Sequence, residues 1–425
     1  MSQDTIYAHS SGRAPAAIAV IRISGPDAHA AGKTLAGSLP SARQAAVRRL
    51  RDVHGAVLDD ALILRFDGPA SATGEDSVEF HCHGSRAVVR AVLRALSELP
   101  YLREALPGEF TRRAFENGRM DLTEAEGLAD LLEAETESQR RAALALAEGG
   151  LRRQVDAWRQ RLIMLSAKAE AAIDYVGDEE ETSADVAELT AEANGLRREL
   201  TEWLDRPRAE RLKSGVRVVI AGPPNSGKSS LLNVLSETDR AIVTPVAGTT
   251  RDVIEVPVSW SGVPFVLTDT AGLREAADVV ERIGVERTRA EVDAADILLW
   301  TGPVAARPVH RCSIQLSTKA DLKPSAASSG LRISNKTGEG IDELRIHLLQ
   351  LARTLLPHED AIAINERQAS LVADCERALG HAAGGDLVMV AESLRSARTC
   401  LDEITGQLGV EDVLDALFSR FCLGK

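Results

Sequence analysis

The sequence predicts a multidomain α/β protein: a mixed α/β domain first, then a helical domain whose chain is interrupted by a compact strand–helix unit. Three observations carry this. Short apolar strand-like runs and helical spacing are mixed over the first ~115 residues. Farther on, Leu151, Val155, Trp158, Leu162, Leu165, Ala169 and Ile173 recur every three or four positions, the stripe of a long helix built to pack on other helices. A β-rich stretch at 213–356 separates this helical block from a second one at the C-terminus, the pattern of an inserted domain. A length of 425 residues suits two to three domains at ~150 residues each. The boundaries read as 1–118, 119–212 for the first helical part, 213–356 for the insert and 357–425 for the second helical part.

Each element has a local reason. Ile18–Ile23 is a strand stopped by the turn signal Ser24-Gly25-Pro26, and Leu62–Phe66 and Ser77–Cys82 are further strands. Ala87–Leu99 has helical spacing, with Val88, Val92, Leu93 and Leu96 on one stripe. After the long helix, Gly177–Asp185 reads as an acidic break, followed by a helix to about Trp203. A basic linker then enters a buried-strand run at Val216–Ala221. Near the C-terminus Leu387, Val390, Leu394, Leu401, Ile404 and Leu408 form one stripe. His81-Cys82-His83 invites a metal reading, but strand alternation puts Val78, Phe80 and Cys82 on one face and both histidines on the other.

Composition excludes several classes. Apolar content of 44% rules out global disorder. With 50 Lys+Arg against 63 Asp+Glu, the net charge of −13 excludes simple coating of nucleic acid, and 3% aromatics argues against base-stacking platforms. The charge is uneven: residues 121–185 hold 16 acids and 7 bases, whereas residues 1–51 hold 7 bases and 2 acids. Five separated cysteines with no CxxC pair point to neither a disulfide framework nor a zinc ribbon. With no signal peptide and no apolar run of ~20 residues, a cytoplasmic location without a membrane span is expected.

The chemistry starts at Gly222-Pro-Pro-Asn-Ser-Gly227-Lys228-Ser229, a GxxxxGK[ST] loop between a strand and a helix. Backbone N–H groups of such a loop, including those of Asn225, Ser226, Gly227 and Ser230, surround phosphate. Lys228 neutralises the β- and γ-phosphates and the Ser229 hydroxyl ligates Mg²⁺. Downstream come Gly248-Thr249-Thr250, Asp269-Thr270-Ala271-Gly272, Thr318-Lys319-Ala320-Asp321 and Ser334-Asn335-Lys336, in the order found in Ras-like guanine-nucleotide switch proteins. Thr250 would close on Mg²⁺ and the γ-phosphate, Asp269 would hold Mg²⁺ through water, and Asp321 would accept from guanine N–H groups that adenine lacks. Thr318 stands where NKxD motifs carry Asn, and Asn335 where SAK motifs carry Ala. Both swaps predict weak nucleotide binding with easy exchange. Leu273 stands where Ras-type proteins carry the water-orienting Gln, so another group must position water.

IRISGP at 21–26, SATGEDSVEFHCHG at 71–84, PGEFTRRAFENGR at 107–119, the nucleotide motifs and the terminal FCLGK at 421–425 together give the chain its resemblance to the MnmE (TrmE) family of tRNA-modification GTPases. It implies a folate-binding, dimerising N-terminal domain, a helical domain of two chain segments and an inserted G domain. It also implies work as a homodimer with a FAD- and NADH-dependent MnmG-like partner, in a heterotetramer or larger assembly. The substrate would be the wobble uridine of certain tRNAs, modified at carbon 5 to an aminomethyl or carboxymethylaminomethyl group with a carbon from a 5-formyl or methylene tetrahydrofolate. Carried over by position, K⁺ would be held by Asn225, Thr244, the Val246 backbone and Thr249, driving G-domain dimerisation and hydrolysis. Glu281 would orient the attacking water, and Cys422 would serve the modification reaction. Arg22, Glu79, Arg119 and Lys425 would bind folate, as cations for carboxylates and an acceptor for the pterin amine. Three departures stand out: Ser10–Ala17 replaces a glycine-rich loop, Arg119 replaces a common Lys, and the segment between Trp300 and Thr318 is short. A ribosome-assembly GTPase is an alternative but would carry an appended RNA-binding module; a non-enzymatic GTP-gated assembly switch is another.

Overall fold

Alternation along the chain becomes sheet geometry in the computed structural model, which describes residues 4–174, 179–237, 255–270, 289–322, 330–358, 361–382, 386–408, 411–421 and 424. Two compact units form: residues 1–129 with 402–425, and residues 130–401.

The first unit is built on a six-stranded sheet. Its strands are β1 (Thr5–His9), β2 (Ile18–Ser24), β3 (Ala45–Arg51), β4 (Val57–Phe66), β5 (Ser77–His83) and β6 (Leu102–Glu104), in the order β3-β4-β5-β2-β1-β6. Neighbours are antiparallel except β1 and β6. Ile21 and Ile23 of β2, Ile63 of β4 and Phe80 of β5 point into a core closed by Leu35 of α1 (Ala28–Ala36) and Val92 and Leu96 of α2 (Arg86–Ser97). Ser85 caps α2 by accepting from the Val88 N–H. The buried face of α2 is Val89, Val92, Ala95 and Leu96, rotated by one residue from the expected stripe. The register puts Val78, Phe80 and Cys82 inward, while His81 meets Glu79 and His83 meets Asp59. A smaller core joins α4 (Leu122–Glu133) to the C-terminus through Leu122, Ala125, Leu414, Leu417, Phe418 and Phe421. Gly108 opens α3 (Glu109–Glu116) at φ +69°, where an added Cβ would lie 2.4 Å from the Phe418 carbonyl oxygen, so only glycine fits.

In the second unit, the helix predicted from its stripe is α6 (Gly150–Asp174), with Leu151, Val155, Trp158, Leu162, Leu165 and Ala169 buried. Ile173 is exposed, because the stripe ends before the helix does. The partner helix α7 starts at Glu179 and runs to Leu204, through most of the expected acidic break. Glu and Ala are good helix formers, and acids near an N-terminus complement the helix dipole. Trp158 and Trp203 meet edge-on with centroids 5.2 Å apart, and the Trp158 indole N–H donates to Glu199 at 2.8 Å. The linker into the insert is itself helical, α8 (Ala209–Ser214). Helix α5 (Glu137–Ala147) ties to it: Gln139 donates to the Leu212 and Lys213 carbonyls, and the Ser138 hydroxyl donates to the Gly262 carbonyl at 2.6 Å. In the helix Leu387–Thr405, Val390, Leu394, Leu401 and Ile404 are buried, whereas Leu408 lies beyond the helix and is exposed.

The insert is a second six-stranded sheet. Its strands β7 (Val216–Ala221), β8 (Glu255–Trp260), β9 (Val263–Asp269), β10 (Ile297–Trp300), β11 (Ser313–Ser317) and β12 (Leu331–Arg332) lie in the order β12-β11-β10-β7-β9-β8. All pairs are parallel except β8 with β9. The central strand β7 is buried along almost its whole length, as a parallel strand covered on both faces must be. Helix α9 (Lys228–Glu237) follows it directly after the glycine loop. Among the described residues, no helix is long and apolar enough to cross a membrane.

Candidate nucleotide site

The site forms where β7, β9, β10 and β11 end at the same edge of the parallel sheet, the place such sheets bind ligands. Gly222 leaves β7 at φ +149°, and an added Cβ there would sit 2.1 Å from Thr301 Oγ1. Asn225 and Gly227 are also left-handed, at φ +58° and +92°. These residues curl the chain into a loop whose centre holds the buried Lys228 ammonium, which donates to the carbonyls of Gly222 at 3.2 Å and Pro223 at 3.0 Å. A cation and a helix N-terminus thus meet at one point, the arrangement that holds phosphate.

Beside it, parallel pairing sets Ile220 of β7 against Asp269 at the end of β9. The Ser229 hydroxyl donates to Asp269 Oδ2 at 2.5 Å, and the Thr270 hydroxyl donates to the Ile220 carbonyl at 3.1 Å. A hydroxyl and a carboxylate side by side are hard oxygen donors of the kind Mg²⁺ takes, so the residues fit that ion. Ser226 and Ser230 flank Lys228; Ser226 shares a 2.7 Å hydrogen bond with Thr301, and Ser230 is exposed.

The other end of the site is built from the ends of β11 and β12. Thr318 is buried. Lys319, left-handed at φ +59°, donates from Nζ to the Asn225 carbonyl at 3.0 Å. Asp321 accepts from the Ser334 hydroxyl at 2.7 Å, and Asn335 donates from Nδ2 to the Gly227 carbonyl at 3.0 Å. Lys336 is exposed. The structure therefore brings Asn225, Gly227, Lys228, Ser229, Asp269, Lys319, Asp321, Ser334 and Asn335 into one bonded set. Thr244, Val246, Thr249, Thr250, Ala271, Gly272 and Glu281 lie outside the described residues, as do Cys422 and Lys425. Thr301 is a site residue that the sequence reading passed over. It bonds Ser226 and the Ala221 carbonyl and stands against Gly222. A polar residue directly after an apolar core strand was the available signal.

In the first unit, the pairing of β2 with β5 sets Arg22 opposite Glu79, and their side chains form an ion pair at 2.9 Å. The Arg22 guanidinium also lies 5.7 Å from the Phe110 ring centre. Gly424 packs so closely on the end of β1 that an added Cβ would be 2.4 Å from the His9 carbonyl oxygen. Gly424 is thereby held beside the strand that pairs with the one carrying Arg22. Arg119 is exposed, its stem against Gly74. Arg22 and Glu79 are brought together, and among the described residues no hydrogen bond or ion pair joins Arg119 to them.

Comparison with known proteins decides the family. The model for the GTP-binding protein TrmE N-terminus matches residues 5–119, and that for the MnmE helical domain matches residues 122–422. A tRNA modification GTPase MnmE from Erythrobacter litoralis is 53% identical over 99% of this chain and 100% of its own length. The chain belongs to the MnmE family of tRNA modification GTPases. Relatives of the same description from Novosphingobium aromaticivorans and Sphingopyxis alaskensis are 50% and 51% identical, covering 99% and 95% of this chain and the full length of each relative. MnmE membership thus spans both units.

Proposed function

We propose that this chain is a potassium-activated GTPase that acts with a FAD-dependent, MnmG-like partner on carbon 5 of the wobble uridine of certain tRNAs. The observation that carries the reading is the bonded set at one sheet edge: Lys228 within the glycine loop, Ser229 on Asp269, and Asp321 on Ser334. Full-length identity to curated MnmE chains supports the rest. In this reading residues 1–118 bind a 5-formyl or methylene tetrahydrofolate and dimerise, residues 119–212 and 357–425 form one helical domain, and residues 213–356 are the G domain. The chain acts in the cytoplasm.

Lys228 breaks its bonds to the two loop carbonyls and turns its charge onto the β- and γ-phosphates. The Ser229 hydroxyl, beside Asp269, and the Thr250 hydroxyl would hold Mg²⁺, which would supply positive charge against the phosphates. Asp321 accepts from the guanine ring N–H groups, and the Thr270, Ala271 and Gly272 backbone follows the γ-phosphate. Asn225, Thr244, the Val246 backbone and Thr249 would hold K⁺, which would supply the positive charge that an arginine finger supplies elsewhere. Glu281 orients the water that attacks the γ-phosphorus. Arg22, Glu79, Arg119 and Lys425 hold the folate, with the Arg22–Glu79 pair opening toward it, and Cys422 takes part in the modification.

Two measurements test this. GTP hydrolysis in KCl should exceed that in NaCl at equal ionic strength, and Glu281→Ala should lower the turnover in KCl by about two orders of magnitude or more. Nucleosides of tRNA from cells lacking the chain should show bare wobble uridines; intact side chains would overturn the tRNA assignment.

A further inference from the structure

The guanine-reading carboxylate must stand at a fixed distance from the phosphate loop, because one nucleotide spans both. Asp321 is bonded to Ser334, and the next residue, Asn335, is bonded to Gly227, which directly precedes Lys228. Asp321, Ser334, Asn335 and Gly227 therefore form a continuous link from base site to phosphate site. The Gly227 carbonyl can only accept, so this contact sets the amide with Nδ2 toward the loop, and Oδ1 is buried without a hydrogen-bond partner among the described residues. A buried acceptor left without a partner costs free energy, so the orientation is retained for what the amide nitrogen does. Thr318, at the position where NKxD motifs carry an amide, makes no side-chain hydrogen bond among the described residues, although it is buried.

We propose that Asn335 supplies the amide that position 318 lacks, as a positioning residue that holds the Asp321 segment against the phosphate loop and so sets guanine affinity and selectivity. The two departures from the usual motifs then form one exchange, the second offsetting the first. This rests on the guanine-nucleotide reading of the same site.

The test is release of a fluorescent GDP analogue from the full-length chain, with GDP-over-IDP preference as a second readout. IDP lacks the exocyclic amine from which Asp321 would accept. Asn335→Ala should release the analogue about five- to tenfold faster, the worth of one partly buried hydrogen bond, and narrow the GDP-over-IDP preference. Its melting temperature without nucleotide should fall by only a few degrees, the worth of the same bond. Adding Thr318→Asn to Asn335→Ala should recover most of the loss. Wild-type release rates in Asn335→Ala, or a double variant no better than Asn335→Ala, overturn the proposal. A wild-type chain that binds no guanine nucleotide instead overturns the reading of the site on which it rests. Should Asn335→Ala not fold, Asn335→Leu roughly keeps the volume and removes the donor without adding charge, with the same expectations.

Discussion

Arg113 shows how a single residue can tie distant sequence together. Only 3% exposed, it donates to the Asp4 carboxylate, to Glu75 and to Glu109. Breaking a buried ion cluster by removing one partner leaves uncompensated charge, so Arg113→Met should cost about 3–5 kcal/mol in urea unfolding. Burial pushes the Glu109 carboxyl up, but bonds from Arg103, the Leu106 N–H and Arg113 together hold it below its ordinary value of 4.5. A lowered folded-state value means that the stabilisation is present above that ordinary value and fades as pH falls through the folded one. Stability followed from pH 6 downward should therefore fall, and Glu109→Gln should make the acid limb shallower. The same scale exposes what a motif leaves out: GxxxxGKS names Lys228 and Ser229, but not the two carbonyls on which the Lys228 ammonium rests, nor Thr301 beside Gly222.

Elements were legible where their signal is periodic and local. The stripe of α6 and the alternation of β5 each reduce to one face meeting one core; the alternation stands as read, and the stripe does as far as Ala169. The α2 face shifted by one residue because side chains on either side of a stripe compete for the same core, which spacing alone cannot decide. The start of α7 was misplaced because acidity was read as a break, although Glu is a helix former and suits an N-terminal turn. The stripe itself predicts energetics. Leu162 is fully buried and Ile173 is 38% exposed. Leu162→Ala should then cost about 2–5 kcal/mol, and Ile173→Ala well under half as much, by chemical denaturation.

For the whole molecule, the sheet edge gathers segments about a hundred residues apart into one nucleotide site. A ligand that binds only the folded site stabilises it by mass action. Mg²⁺–GDP at 100 times its dissociation constant should raise the stability of the nucleotide-site transition by about 2.7 kcal/mol, while Lys228→Ala at the same GDP concentration should lose most of that gain. The overall charge of −13 also has structure: much of it lies in residues 121–185, away from the basic first 51 residues. The partner proposed above would then supply much of the basic surface for tRNA.

Short-range patterns were sufficient for β2, β4 and β5 of the first sheet, the long helix α6 and the glycine loop between β7 and α9, because each depends on neighbours within about one turn or one strand. Contacts between residues far apart in the chain were beyond such patterns. The pairing of Arg22 with Glu79 comes from the register of β2 on β5. The seat of Gly424 on the end of β1 comes from packing across almost the full chain. The bond from Asn335 to Gly227 needs two strand ends to converge. Spacing states which residues are present, whereas distance between them is created only when strands choose their neighbours and register.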